Sequence, residues 1–256
     1  ALKEARPDAV LHLAAHANVR VSCIEPAAVM ANNVLGTTNL LEAIRLSGLD
    51  PWIQLCSTSE VYGQVAKKDV PIKETAPLRP VSPYAVSKAA QDLLGWSYFY
   101  SWGLKVIRTR MFTYFNPRRT DLFATSFARQ IALIESGYLK ELRHGNLKSV
   151  RSFVDVRDAA RAYWAAILYC EPGEAYNIGS GVEMTNLQLA RRLLKICGET
   201  TDRIQYVHDR PGHDFRYSLT SAKLRALGWK TDHSFDDALR RTVDWYRKNA
   251  DWWRPI

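Results

Sequence analysis

Trp52-Ile53-Gln54-Leu55-Cys56 is an apolar, strand-like run that leads into Ser57-Thr58-Ser59-Glu60, and further along Tyr84-Ala85-Val86-Ser87-Lys88 opens a long helical pattern. Residues four apart share one face of a helix, so this spacing places Lys88 beside Tyr84. A free phenol has a pKa near ~10, and lowering it to ~7 requires roughly 4 kcal/mol. One ammonium about 4 Å away supplies about that much at an effective dielectric near 20. Tyr84 is therefore a candidate base for a hydroxyl proton, with Thr58 holding the same hydroxyl.

Strand-like and helical patterns alternate around this stretch. The predicted elements of the first half are Asp8–Leu13, Asn33–Arg45, Trp52–Cys56, Tyr84–Tyr100 and Lys105–Arg110. Strand, helix, strand, helix, strand at this spacing predicts a right-handed parallel α/β sheet. Ligands of such sheets bind beyond the carboxyl ends of the strands, where Ala14, Ala15 and residues 57–60 lie.

The second half of the chain carries another set of segments, without internal repeats or low-complexity stretches. The predicted helices are Thr125–Ser136, a helix with Ala160, Tyr163 and Leu168, a helix capped by Thr185 or Asn186, Ser221–Leu227 and a terminal helix from Phe235. We therefore predict two domains, 1–115 and 116–256, with some segments of the second range returning to the first core.

The composition limits the class of protein. At 256 residues and 47% hydrophobic, the chain is long enough to bury a full core. No apolar run approaches the ~20 residues of a membrane helix. The histidines show no ligand spacing, so we predict no metal. The cysteines are scattered without a C-x-x-C, which predicts reduced core thiols and a cytoplasmic protein; they are Cys23, Cys56, Cys170 and Cys197.

The net charge of +9 raises the question of nucleic-acid binding. The arginines are dispersed along the chain rather than gathered in one stripe with aromatic residues between them. An anionic small substrate such as a pyrophosphate explains them better, so we predict no nucleic-acid partner.

The residues of the two opening motifs resemble a known superfamily. Ser57-Thr58-Ser59-Glu60-Val61-Tyr62-Gly63 and Pro83-Tyr84-Ala85-Val86-Ser87-Lys88 are similar to the extended short-chain dehydrogenase/reductases, the NAD-dependent epimerase/dehydratase family, and specifically to its nucleotide-sugar 4,6-dehydratases. The likeness runs from Leu11 to Pro255. It implies an α/β fold with a Rossmann-like parallel sheet and a smaller C-terminal α/β substrate domain. It also implies NAD or NADP as cofactor, contacted by Leu13, Ala14, Ala15, Tyr84 and Lys88.

A dinucleotide-binding fold begins with a strand, a glycine-rich turn and a helix. This chain opens on Leu2-Lys3-Glu4-Ala5-Arg6-Pro7, which is typical of a helix end, and its first glycine is Gly36. Gly179-Ser180-Gly181 imitates the glycine-rich turn but departs from the pattern at Met184. We therefore expect a sheet that lacks its first strands, so that 1–115 is a partial NAD(P)-binding domain. The choice between NAD and NADP stays open.

Two further motifs concern the nucleotide. Pro117-Arg118-Arg119 and Gly145-Asn146-Leu147 with Arg151 resemble GDP-mannose 4,6-dehydratases, in which arginines hold the diphosphate through charge-assisted hydrogen bonds. Arg210-Pro211-Gly212-His213-Asp214 instead resembles dTDP-glucose 4,6-dehydratases, so the base stays open. The structural alternatives are a surface position for Arg118 and, for Arg151, an ion pair with Asp155 or Asp158. The expected substrate contacts are Ser59, Asn116, Arg118, Asn146, Arg151 and Arg210.

The resemblance implies intramolecular redox chemistry, with GDP-mannose as the expected substrate. Tyr84 takes the sugar C4 hydroxyl proton while the C4 hydride passes to the cofactor, and Thr58 orients that hydroxyl. Glu60 removes the acidified C5 proton, and water leaves C6 with Glu60, helped by Ser59, as the acid. Hydride then returns to C6 and gives the 4-keto-6-deoxy sugar. The expected catalytic residues are thus Thr58, Glu60, Tyr84 and Lys88.

Two alternatives remain open. A 4-ketoreductase or 4-epimerase would use Tyr84 and Lys88 without a C5 base, and a non-catalytic nucleotide-sugar-binding or partner subunit would explain the missing glycine-rich loop. Thr113 stands where the family commonly has asparagine, and Ser59 where dTDP-glucose enzymes have aspartate.

Aromatic residues cluster late in the Tyr84–Tyr100 segment. We predict Trp96, Tyr98, Phe99 and Tyr100 as core residues, together with the helix over Asn33–Arg45. The resemblance implies that these two helices pair across the axis of a homodimer.

Overall fold

The structure is a computed structural model that describes residues 1–119, 122–145, 147–207 and 218–254. In chain order the strands are β1 (Ala9–His12), β2 (Trp52–Thr58), β3 (Val106–Met111), β4 (Thr113–Phe115), β5 (Leu142–His144), β6 (Val150–Asp155), β7 (Ala175–Ile178), β8 (Glu183–Thr185) and β9 (Ile204–Tyr206). The helices are α1 (Leu2–Ala5), α2 (Val19–Ile24), α3 (Pro26–Met30), α4 (Gly36–Ser47), α5 (Pro83–Trp102), α6 (Phe123–Glu135), α7 (Val156–Tyr169), α8 (Asn186–Ile196), α9 (Ala222–Ala226), α10 (Phe235–Lys248) and α11 (Ala250–Trp253). A π-helical turn covers Ala31–Leu35, and 3-10 turns cover Ser59–Tyr62, Lys67–Asp69 and Thr201–Arg203.

The chain forms two compact units. The first comprises Ala1–Phe112, Ala159–Gly179 and Leu219–Lys230. The second comprises Thr113–Asp158, Ser180–Ser218 and Thr231–Ile256. Two later segments of the chain therefore belong to the same unit as the two opening motifs.

A parallel sheet forms the centre of the first unit, with strand order β1-β2-β3-β7. Ala9 lies opposite Trp52, Ile53 opposite Val106, and Arg108 opposite Ala175. The inner strands β2 and β3 are buried along most of their length, although β3 carries the polar residues Arg108, Thr109 and Arg110. The predicted parallel α/β sheet is confirmed.

Helix α5 packs against β2 and β3. It begins where Ser82 accepts a hydrogen bond from the Ala85 backbone N–H, with Pro83 in the first turn, and it ends at Gly103. Midway along the helix, a Cβ added to Gly95 would lie 2.7 Å from Leu55 Cδ1 and 3.0 Å from Val106 Cγ1. The missing side chain therefore lets α5 lie close against the sheet and fixes the distance of its inner face from β2.

The second unit contains a three-stranded sheet with order β4-β6-β8, in which β4 and β6 are parallel and β6 and β8 antiparallel. Strands β5 and β9 pair separately. Helix α10 packs on α6 and α8 over a buried apolar cluster. Thr185 caps α8 with a reciprocal capping box, and the Tyr246 hydroxyl donates to the Pro117 carbonyl at 2.6 Å.

The core prediction for the aromatic residues of α5 is wrong for two of them. Tyr98 is buried, whereas Trp96 is 42% and Tyr100 77% exposed. The Trp96 ring centre lies 5.5 Å from the guanidinium of Arg108 on β3, so part of this ring covers the edge of a charged group rather than filling the core. Cys23, predicted as a core thiol, is also exposed.

In the part of the chain that the structure describes, none of the helices combines the length and the apolar character that a membrane span requires.

Candidate active site

The first part of the site lies at the carboxyl end of β2. Thr58 is the last residue of this strand, and its hydroxyl accepts a hydrogen bond of 3.4 Å from the Glu60 backbone N–H. This bond starts the 3-10 turn Ser59–Tyr62, in which Ser59 is buried and Glu60 half-buried. A threonine that caps a turn in this way is held in one orientation, so its position relative to Glu60 is set by the backbone.

The second part lies on the first turns of α5. Tyr84 is 8% and Lys88 3% exposed, and both lie on the inner face of the helix. Helix α5 packs against both β2 and the turn that carries Glu60. The four residues predicted to be catalytic are thus carried by contacting elements of one unit, and Ser59 lies on the same turn.

Burial dominates the electrostatics of Lys88. Removal from water lowers the pKa of its ammonium, and the nearby groups of Cys56 and Asp92 oppose that shift. Burial also lowers the pKa of His12, at the end of β1, and the positive charge of Lys88 lowers it further. His12 is therefore a neutral hydrogen-bonding group, and its Nε2 lies 2.9 Å from the Thr37 hydroxyl.

The residues predicted to contact the cofactor follow β1. Leu13 is 53% exposed, Ala14 is exposed and Ala15 is half-buried. This strand end therefore presents apolar side chains to solvent. On α5, Tyr84 carries a hydroxyl and Lys88 an amine, and both groups can donate hydrogen bonds to the hydroxyls of a ribose. These groups fit the nicotinamide half of NAD(P).

Asn33 links the loop that follows β1 to helix α5, and it was not singled out from the sequence alone. It is fully buried in the π-helical turn; its Oδ1 accepts from the His16 N–H at 2.6 Å, and its Nδ2 donates to the Ser87 hydroxyl at 2.9 Å. The loop after Ala15 is therefore tied to α5 between Tyr84 and Lys88. Because π turns insert one residue into a helix, they re-aim a side chain in a way that helical periodicity does not predict.

A second buried network was also missed. Asp92, one turn after Lys88, pairs with Arg108 at 3.0 Å and with Arg110 at 2.8 Å. Arg110 in turn donates to the hydroxyl of Tyr62, the last residue of the turn that carries Glu60. The i,i+4 spacing from Lys88 to Asp92 was a usable signal, whereas the pairing with β3 depends on the fold.

The remaining predicted substrate contacts belong to the second unit. Arg151 is buried on β6; its guanidinium donates to the Val150 carbonyl at 3.0 Å and lies 5.7 Å from the Phe123 ring centre. Asn116 accepts from the Arg118 backbone N–H at 3.1 Å, and the Arg118 side chain is exposed. Asn146 and Arg210 lie outside the described residues.

The two acidic residues considered as partners of Arg151 contact neighbouring groups of the second unit. Asp155 pairs with Arg157 at 2.7 Å and accepts from its backbone N–H, as expected of a helix-start residue. Asp158 accepts from the backbone N–H groups of Asp232 and His233 and lies 3.0 Å from His233 Nδ1. These contacts order the start of α7 and the loop before α10.

Known proteins are similar to this chain over most of its length. The model of the family described as GDP-mannose 4,6 dehydratase matches residues 1–242. A dTDP-glucose 4,6-dehydratase of Streptomyces niveus is 37% identical over 257 residues, which cover 97% of this chain and 73% of that protein.

Two solved structures are similar over nearly the whole chain. DesIV, a dTDP-glucose 4,6-dehydratase from Streptomyces venezuelae with NAD and TYD bound, aligns with a TM-score of 0.89 at 35% identity, covering 99% of this chain and 78% of that one. RMD from Pseudomonas aeruginosa, complexed with NADPH, aligns with a TM-score of 0.89 at 33% identity, covering 94% and 82%. The predicted Rossmann-like fold is confirmed, and the chain belongs to the GDP-mannose 4,6-dehydratase family of the extended short-chain dehydrogenase/reductases.

Proposed function

We propose that this chain is a nucleotide-sugar 4,6-dehydratase that uses NAD or NADP. The observation that carries the proposal is the placement of Thr58 at the end of β2 and of Glu60 on the turn that follows, both of which pack against the helix bearing Tyr84 and Lys88. A hydroxyl base and a carboxylate on contacting elements supply the two proton-transfer groups that oxidation at C4 and elimination across C5 and C6 require.

In this proposal the chain's own residues have the following roles. Thr58 hydrogen-bonds the sugar C4 hydroxyl, and Tyr84 removes its proton while Lys88 stabilises the phenolate. Glu60 removes the C5 proton, which the neighbouring ketone has made acidic, and then protonates the departing C6 hydroxyl with help from Ser59. When bound, NAD(P) would supply the hydride acceptor for oxidation at C4 and the hydride for reduction at C6.

Leu13, Ala14 and Ala15 would hold the nicotinamide end of the cofactor, with Tyr84 and Lys88 on its ribose. The NAD of DesIV and the NADPH of RMD support a nicotinamide cofactor here. For the substrate we propose that Arg118 and Arg151, with Asn116, contact the diphosphate of GDP-mannose. The similarity to dTDP-glucose enzymes makes dTDP-glucose the substrate to test beside it.

The substitution Glu60→Gln tests the mechanism. With nucleotide sugar and oxidised cofactor, the variant should still oxidise C4 and build up reduced cofactor, but exchange of the C5 hydrogen with deuterated water should fall about 100-fold or more. Glu25→Gln is the matched control, because Glu25 is an exposed carboxylate of the same unit whose side chain makes no capping bond. Water elimination by Glu60→Gln at the wild-type rate would refute the assignment.

The Glu60→Gln assay, together with calorimetry, separates the alternatives. A 4-ketoreductase or 4-epimerase would yield a product that keeps its C6 oxygen and would hardly respond to Glu60→Gln. A non-catalytic binding subunit would bind the nucleotide sugar in calorimetry without binding either cofactor.

The exposed side of α5 supports a homodimer. Val86, Leu93, Trp96 and Tyr100 form an apolar stripe on this helix, and each is at least 41% exposed. Such stripes are rare on monomers and mark interfaces. We expect Leu93→Glu to give monomers in sedimentation velocity. Leu168→Glu, on the exposed face of α7, serves as control and should leave the dimer intact.

The proposal of a cytoplasmic protein rests on the scattered cysteines. All four have free thiols in the structure.

A further inference from the structure

Asp92 is a buried carboxylate without a place in the mechanism described above. It lies on α5 one helical turn beyond Lys88, which lies one turn beyond Tyr84, and its side chain has no solvent exposure. Its two oxygens accept from Arg110 Nε at 2.8 Å, from Arg110 Nη2 at 2.9 Å and from Arg108 Nη1 at 3.0 Å. One carboxylate thus faces two guanidinium groups and, along the helix, an ammonium.

The surroundings of Lys88 make this carboxylate important. The groups that act on Lys88 electrostatically are Asp92 from its own helix, the Cys56 thiol from β2 and His12 from β1. The thiol lies 3.2 Å from the Tyr163 hydroxyl of α7, and burial keeps His12 uncharged by lowering its pKa. Asp92 is the permanent negative charge in this set: burial opposes its ionisation, but the hydrogen bonds and charge of Arg110 lower its pKa.

The second contact of Arg110 leads to the turn that carries Glu60. Its Nη1 donates to the Tyr62 hydroxyl and to the Glu74 carbonyl, both at 2.9 Å, and Tyr62 donates to Asn177 Oδ1 at 2.8 Å. Burial raises the pKa of Tyr62 to about 12, so its hydroxyl keeps the proton that this last bond needs. Asp92 therefore anchors a chain of hydrogen bonds that ends at the last residue of the turn.

We propose that Asp92 is a positioning residue of the site: its carboxylate keeps the Lys88 side chain an ammonium and, through Arg110 and Tyr62, holds the turn that carries Glu60. The inference rests on the proposed function for the roles of Lys88 and Glu60. It assigns to Asp92 no contact with substrate or cofactor. Among the described contacts, Lys88 has no carboxylate ion pair of its own. The charge of Asp92 is what allows this buried lysine to stabilise the Tyr84 phenolate.

The charge on Lys88 is measurable without turnover. In protein labelled with ¹³C at the lysine ε-carbon, NMR follows the titration of each lysine, and the Lys88 signal is the one absent from Lys88→Met. Asp92→Asn should lower the Lys88 midpoint by about 1–2 pH units, from removal of one charge a helical turn away at an effective dielectric near 20. Asp92→Glu should restore it.

Arg108→Met should move the midpoint in the opposite direction, because it removes a cation that competes for the same carboxylate. This variant keeps the more deeply paired Arg110 and guards against failure of Asp92→Asn to fold. Glu42→Gln, which removes a carboxylate hydrogen-bonded to Tyr98 on the same helix, is the control and should leave the midpoint unchanged. An unchanged Lys88 midpoint in folded Asp92→Asn or Arg108→Met would overturn the proposal.

Kinetics separate this inference from the proposed function. The acid limb of C4 oxidation should move to higher pH in Asp92→Asn, because Tyr84 loses the help of a charged Lys88. A shifted Lys88 midpoint with an unchanged limb would refute the assigned role of Lys88 while leaving that of Asp92 intact. Tyr62→Phe should slow C5 hydrogen exchange at least tenfold and spare C4 oxidation; equal effects on both steps would overturn the second part of the proposal.

Discussion

Gly63 closes the turn that carries Glu60, and Gly63→Ala should be among the most destabilising small changes in the first unit. The residue has φ 63° and ψ −148°, a conformation that costs any other residue about 1–3 kcal/mol. An added Cβ would overlap the Arg79 carbonyl oxygen and lie 2.9 Å from its carbonyl carbon. Because both atoms belong to the backbone, relief requires a backbone shift, at about 1–3 kcal/mol.

That shift would also affect the Arg79 N–H, which donates to the Val61 carbonyl at 2.9 Å and contributes about 1 kcal/mol. Together these effects predict a loss of about 3–7 kcal/mol in the free energy of unfolding, measured by urea denaturation with tryptophan fluorescence. This loss is a large share of the about 5–15 kcal/mol that stabilises a typical domain.

Gly48→Ala is the matched control for this experiment. Gly48 also has a positive φ, 72°, but an added Cβ there would meet nothing within 4 Å. The conformational cost alone is about 1–2 kcal/mol, and the effect of an added methyl on the unfolded chain is the same in both variants. If Gly63→Ala lost no more stability than Gly48→Ala, the close approach of the Arg79 carbonyl would be refuted.

Three further predictions concern single hydrogen-bonding groups. Thr185→Ala should lower the free energy of unfolding by about 1 kcal/mol in urea denaturation because it removes a capping box. Thr200, which precedes the turn Thr201–Arg203, makes no side-chain capping bond, so Thr200→Ala should cost almost nothing. Tyr246→Phe should cost about 1–2 kcal/mol, since it leaves the partly buried carbonyl of Pro117 without its donor; an unchanged melting temperature would contradict this. Hydrogen bonds, first from Arg45, lower the pKa of Glu42 from 4.5 to about 2, so its contribution to stability is complete above about pH 4.5 and is lost as the pH falls toward 2. Glu42→Gln should therefore flatten the fall in urea midpoint between about pH 4.5 and 3, and an unchanged slope would count against the shift.

The elements of the first unit were largely predictable because their signals are local. The helix expected over Tyr84–Tyr100 is observed over Pro83–Trp102, and the strand expected over Trp52–Cys56 continues to Thr58. Apolar runs, Ser82 as a cap and Gly103 as a stop act within a few residues of themselves.

The apolar pattern on α5 was less informative about its surroundings. Trp96 and Tyr100 are large aromatic residues of the kind that fill cores, but both are exposed. Apolar periodicity shows that a face avoids water, and a core and a subunit interface satisfy that requirement equally. The exposure of these rings is a property of the folded unit and has no local sequence signal.

The sequence by itself determined the parallel α/β sheet and the family. It also identified Thr58, Glu60, Tyr84 and Lys88 as candidates, because their motifs are short and contiguous. Only the tertiary structure decided which groups surround those candidates. Asn33 bonds to Ser87 across 54 residues, and Asp92 pairs with Arg110 across 18. Such bonds form between elements that packing brings together, and burial in the folded unit lowers the pKa of Lys88, so residue spacing and composition predict neither effect.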